Sequence, residues 1–165
     1  MITGRPAAAD IVSDMGHVEG IFVAPGPGTP LVEVPEVQAF AGKGIDGDRY
    51  YTGSGEFSKK PGFRQLTLIE SEAIEAVARD YGLELIPGET RRNIITRGVP
   101  LNHLVGVEFS MGDVRLIGKK LCEPCEHLEK VSGREGIRVA LKHRGGLRVD
   151  ILNDGVIRKG DPVEL

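Results

Sequence analysis

The chain has 165 residues, enough for one domain that buries most of its surface without disulfide or metal staples. Its 21 basic and 24 acidic residues are interleaved and leave a formal charge of -3, which excludes the one-sided basic footprint of a general nucleic-acid binder. An apolar fraction of 40% with 23 glycines and 10 prolines describes many short elements and turns. No run of about 18 apolar residues is present to span a membrane.

Residues 1–15 are small and polar without periodicity and read as a flexible N-terminal tail. They lack the apolar core of a secretion signal, so a reducing cytoplasm is the expected location. The remainder, 16–165, reads as a single domain. Residues 16–23 are strand-like and stop at a Pro-Gly-Pro-Gly loop, and 31–37 alternate as an edge strand carrying Pro35. Glycines 42, 44 and 47 mark a turn-rich segment that matches neither the Walker pattern nor the dinucleotide fingerprint. The polar, glycine-rich stretch 52–62 is a candidate mobile lid.

A strand over 64–69 leads into a helix from Ser71, with Ala73, Ile74, Val77, Ala78 and Tyr81 on one face and Gly82 as its stop. Next comes a β-type run, 89–98, headed by Arg91, Arg92 and Asn93. Strand alternation sends Arg91 and Asn93 to one face, where they could hold an oxyanion, and Arg92 to the other. Solvated edge residues are an equally good reading of the same run. Residues 105–109 and 114–117 form a hairpin around 110–113 that delivers the chain to its cysteines. Ser132 with Glu135 reads as a capping box for a helix carrying Ile137, Ala140 and Leu141, ended by Gly145 and Gly146. Short strands over 147–152, 156–157 and 160–165 close the chain. The pattern predicts a mainly β (α+β) domain, β-barrel-like with a few short helices.

Both cysteines, Cys122 and Cys125, fall in the stretch Lys-Lys-Leu-Cys-Glu-Pro-Cys-Glu-His-Leu at 119–128, and Lys119 and Lys120 place positive charge upstream of a soft nucleophile or ligand. A zinc site could combine Cys122, Cys125 and His127 with His143 or His103, but a second tight ligand pair is missing. A thioredoxin-type centre has the right spacing, yet it wants a helix N-terminus in a βαβ frame, whereas this pair follows a hairpin. Charged neighbours weigh against inert buried thiols. A single soft nucleophile, or a ligand for a metal other than zinc with a helper thiol, completes the set.

Taken together, Gly44 to Arg49, Leu66 to Glu70, Arg91 to Ile94, Gly112 to Val114, Cys122 to Cys125, Arg144 to Gly146 and Gly160 with Asp161 resemble, in order and spacing, the MOSC family, the molybdenum cofactor sulfurase C-terminal domain. The resemblance covers roughly 16–165 and implies a β-rich barrel with a few helices. It implies binding of the molybdenum cofactor (molybdopterin), with Cys125 as catalytic residue and metal ligand and Cys122 as its helper. It further implies a cofactor phosphate near Arg91 and Asn93, with Arg64 or Gln65 also close to the cofactor.

The resemblance implies either of two activities. One is a molybdenum-dependent reductase of N-hydroxylated or N-oxygenated small molecules, supplied by an electron-donor protein. The other is a non-catalytic sulfur carrier that receives a persulfide on Cys125 from a sulfur-donor protein. No stretch matches the extra N-terminal barrel of larger relatives or the aminotransferase-like domain of the sulfurases, so pyridoxal phosphate chemistry is not expected.

Overall fold

The computed structural model describes residues 16–51 and 64–165, so the expectations for the 1–15 tail and the 52–62 lid lie outside the described residues. In chain order the elements are β1 (His17–Val23), β2 (Val32–Glu33), β3 (Glu36–Phe40), β4 (Gly44–Ile45), β5 (Leu66–Glu70), α1 (Ser71–Tyr81), β6 (Ile94–Arg97), a 3-10 turn (Leu101–His103), β7 (Glu108–Met111), β8 (Val114–Leu121), α2 (Glu126–Ser132), α3 (Ile137–Ala140), β9 (Leu147–Ile151), β10 (Gly155–Arg158) and β11 (Val163–Glu164). Eight strands form one sheet in the order β11-β7-β8-β9-β5-β6-β1-β2, and β10-β3-β4 form a second. Every pairing is antiparallel except β5 with β6, the two strands on either side of α1.

The large sheet curls into a half-barrel. Its ends meet where Val18 N–H donates to Asp161 O (2.9 Å), Gly160 N–H to Val18 O (2.8 Å) and Val163 N–H to Gly16 O (2.8 Å), tying the start of β1 to the segment entering β11. Leu66, Leu68, Ile94, Met111, Leu116 and Val149 fill the interior. The central strands are buried on both faces, as strands covered by helices must be. Leu68 and Ile94 face the barrel, while Ile69 and Ile95 pack outward against Ala73 and Val77 of α1, Leu128 of α2 and Ile137 of α3.

Three expectations need correction. The edge strand over 31–37 is two strands, because Pro35, which has no N–H to give to a ladder, separates β2 from β3. Tyr81 lies on no packed face; it is exposed at the last position of α1, with the Arg144 guanidinium 5.9 Å from its ring centre. Ser132 does not open a helix but closes one. The turn starting at Glu126 ends when Gly133 adopts φ 67, and Ser132 Oγ donates back to Glu129 O instead of capping α3.

Candidate functional site

The cysteine loop leaves β8 and enters α2. Leu121 is still paired with Leu147 of β9, and Cys122 N–H donates to Gly146 O (2.7 Å). Three residues on, Cys125 takes an extended backbone conformation and caps α2, its carbonyl accepting from Glu129 N–H (3.3 Å). A helix therefore comes directly after the pair, which follows a hairpin strand as expected and not a βαβ unit. Both thiols are free, but their settings differ: Cys122 is 3% exposed, whereas Cys125 is half-buried and lines a cavity of about 270 Å³.

Arg92 holds this loop in place. It is buried, with Nε donating to Gly145 O (2.7 Å) and Nη2 to Cys122 O (3.0 Å), so one guanidinium bridges the loop and the segment before β9. That approach requires glycine at both positions. A Cβ on Gly145 would lie 2.3 Å from Cys122 O, and one on Gly146 2.0 Å from Leu68 O, with φ 113 disfavouring any side chain there.

The expected alternation over 91–93 does not hold. Arg91 is in the left-handed region (φ 62), uncommon for a residue with a Cβ, and the strand begins only at Ile94. This local turn breaks the two-residue period, so Arg91 and Arg92 both line the cavity while Asn93 turns into the protein. Asn93 is fully buried: its Oδ1 accepts from Thr67 N–H (3.2 Å) and Thr67 Oγ1 (3.1 Å), and its Nδ2 donates to Phe22 O (3.2 Å). It bolts β5, β6 and β1 together and contributes no lining to the cavity. Gln65 is also inward, with Oε1 accepting from Ile151 N–H (2.8 Å), while its neighbour Arg64 lines the cavity. Of the six residues singled out from the sequence, the structure thus brings Cys125, Arg91 and Arg64 together and sets Cys122, Asn93 and Gln65 apart.

Burial, and then the nearby Arg49 guanidinium, push the Arg91 pKa below the usual arginine range. Arg49 itself is anchored. Its Nη1 meets Asp48 Oδ1 (3.1 Å), its Nη2 donates to Arg91 O (3.2 Å), and its guanidinium lies 4.3 Å from the Tyr50 ring centre. Asp48 is fully buried and also accepts from the backbone N–H groups of Ala24 (3.0 Å) and Tyr50 (3.2 Å). Its carboxylate ties the segment after the glycine turn at 44–47 to the end of β1, and Arg49 and Tyr50 there line the cavity.

Sequence reasoning passed over Arg49, Tyr50, Arg92 and Glu123 as site residues, and considered His127 only for zinc. An adjacent Asp-Arg pair inside a glycine-rich loop was the available signal for Arg49. Four arginines, Arg49, Arg64, Arg91 and Arg92, line the cavity together with Glu123, Cys125 and His127. Such a wall suits an anion held beside a soft ligand. Lys119 and Lys120 do not line it: Lys119 pairs with Asp150 (3.6 Å) on the outer face of the sheet. Among the described residues no three His, Cys, Asp or Glu side chains converge as a metal-binding group, so the zinc arrangement through His103 or His143 does not form there.

A model of the MOSC domain matches residues 47–164. The chain belongs to the MOSC domain family. Solved structures give the same shape for this MOSC domain. The YuaD protein from Bacillus subtilis superposes with a TM-score of 0.74 at 17% identity, covering 91% of this chain and 95% of that one. YiiM from Geobacillus stearothermophilus gives 0.67 at 17% identity, covering 91% of this chain and 74% of that one. YiiM from Escherichia coli gives 0.63 at 18%, covering 90% and 68%. At such identities the likeness concerns fold. No curated protein sequence matches the chain. MOSC domains are associated with molybdenum-cofactor binding or sulfur-related functions. No helix among the described residues is long and apolar enough to cross a membrane.

Proposed function

We propose that this MOSC domain binds the molybdenum cofactor in the arginine-lined cavity, with Cys125 as the protein ligand to the metal, and reduces N-hydroxylated or N-oxygenated small molecules. The observation that carries the reading is that the half-buried Cys125 shares a cavity with four arginine residues. These residues fit the group: the thiol suits a soft metal, and the planar forks of Arg49 and Arg91 suit its phosphate, an anion that would also relieve their mutual repulsion. When bound, the cofactor supplies the two-electron redox chemistry. This chain's own residues do the rest. Arg92 fixes the loop that carries the thiol, Asp48 orients Arg49, and His127 sets an imidazole on the wall able to exchange a proton with a bound substrate. Electrons come from a separate donor protein, in the cytoplasm.

A second reading, a persulfide carrier, draws support from the separation of the thiols. Cys122 does not line the cavity of Cys125, so a persulfide formed there, with the donor leaving as its thiol, has no neighbour in the cavity to resolve it. Molybdenum and pterin analysis of protein purified from its own host decides between them. We expect stoichiometric metal in the wild type, none in Cys125→Ser and most of it in Cys122→Ser. Metal and reductase activity retained by Cys125→Ser would overturn the assignment. A mass increase of about 32 Da on Cys125 without molybdenum would establish the carrier instead.

A further inference from the structure

A second cavity, of about 290 Å³, adjoins the first and shares Arg64 and Glu123 with it; Lys120, Leu121, Cys122 and Arg148 complete its lining. Its charge has a strand-level origin. The β8–β9 register shifts between Gly118 and Lys120, after which Lys120 stands directly opposite Arg148 on the face of the sheet turned away from the barrel. Like charges directly opposed on antiparallel strands are destabilising. Lys119, one residue away, is relieved by Asp150, but neither Lys120 nor Arg148 has an ion pair with a described residue. Arg64 adds a third cation. Glu123, the one carboxylate in the lining, is engaged by His143: its Oε2 accepts the His143 N–H (3.2 Å) and lies 3.4 Å from Nδ1. The fold thus gathers three cations around a pocket open to solvent, at which Lys120 is exposed and Arg148 half-buried, and leaves the opposed pair without an ion pair to a described residue.

We propose that this cavity is an oxyanion subsite for a phosphate group carried by the ligand whose reacting end lies beside Cys125, with Arg64 contacting both parts. The inference rests on the proposed ligand site at Cys125 for its second half only. The cation cluster itself stands on the register. Two sources share this chemistry: a further phosphate on the cofactor, and a phosphate on the substrate.

The test is calorimetric titration of the full chain with inorganic pyrophosphate at fixed ionic strength, for the wild type, Cys125→Ser and the double variant Lys120→Gln/Arg148→Gln. We expect wild type and Cys125→Ser to bind alike and the double variant at least tenfold more weakly. Removing the opposed charges should also leave the ligand-free double variant melting at or above the wild type. Undiminished binding in the double variant, or a melting point well below wild type, overturns the subsite. Because Cys125→Ser carries no metal ligand, a failure of the molybdenum reading leaves this readout untouched. Pterin lost from the double variant assigns the phosphate to the cofactor. Pterin retained, with a tenfold higher KM for a phosphorylated N-hydroxylated substrate but not for its dephosphorylated form, assigns it to the substrate; no change in either overturns the proposal.

Discussion

Both faces of the half-barrel sheet bury an apolar cluster, but only the outer one also carries the polar groups that surround the cavity. Inside, Leu66, Leu68, Leu116 and Val149 belong to one buried apolar cluster. Outside, the same strands carry Thr67, Arg148 and Lys120, and over them lie buried polar groups each held by specific partners: Asn93 by Thr67 and Phe22, Arg92 by Gly145 and Cys122, Asp48 by Ala24 and Tyr50. Non-directional packing serves the inner face, where shape is all that is required. The outer face needs directional bonds, because a thiol and four guanidinium groups must hold one geometry. Stability and ligand binding should therefore separate by face.

The largest effect tests the inner face. Leu116→Ala removes a fully buried side chain and should cost about 2–5 kcal/mol of stability by denaturant unfolding. Cofactor content per folded molecule should stay unchanged, and a fall in that ratio would show the faces to be coupled. Arg91→Ala is the converse. It should weaken cofactor retention by about 1.5–3 kcal/mol, the contribution of a charge-assisted contact, with the melting point unmoved. Unchanged retention would remove Arg91 from the site.

Arg92 joins the two behaviours. Arg92→Met strands the buried carbonyls of Gly145 and Cys122, so about 1–3 kcal/mol of stability should be lost, and molybdenum content should fall with it as the cysteine loop loosens. Stability lost with full metal content would make Arg92 purely structural.

The smallest effect is electrostatic. Burial, and then Glu72, raise the pKa of Glu70 above the usual carboxylate value. A carboxyl with a raised folded pKa contributes stability that is fully present below its unfolded pKa and lost as pH rises through the folded one. Glu70→Gln should accordingly raise the melting point slightly near pH 7 and leave it unchanged below pH ~4, under the unfolded value. A drop in melting point at pH 7 would mean that the ionised form is needed at the head of α1.

Much of this was legible in the chain. Hydrophobic alternation located most of the strands, and Ala73, Val77 and Gly82 located α1, because burial and a left-handed stop write themselves into local sequence. What escaped depends on single backbone torsions and distant partners. Nothing in Arg-Arg-Asn says that its first residue sits at φ 62, outside the strand alternation, with both arginines lining the cavity and Asn93 buried away from it. Ser132 with Glu135 satisfied a capping pattern, but Gly133 had already been used to end the preceding helix. Arg92 and Asp48 function through contacts to residues far along the chain, which no local period can report.

The seam that closes the half-barrel bears on how the molecule assembles. It joins His17 and Val18 to Asp161 and Pro162, positions separated by nearly the whole described length. A contact of that span carries a large loop-closure entropy, and topologies dominated by such pairings fold on the slow side, in about milliseconds to seconds. During synthesis β1 must wait for the segment before β11 to emerge, leaving the His17–Val18 side of the sheet temporarily without its final partner. Chaperone dependence and misassembly, if this protein suffers either, should concentrate in that interval and at that edge.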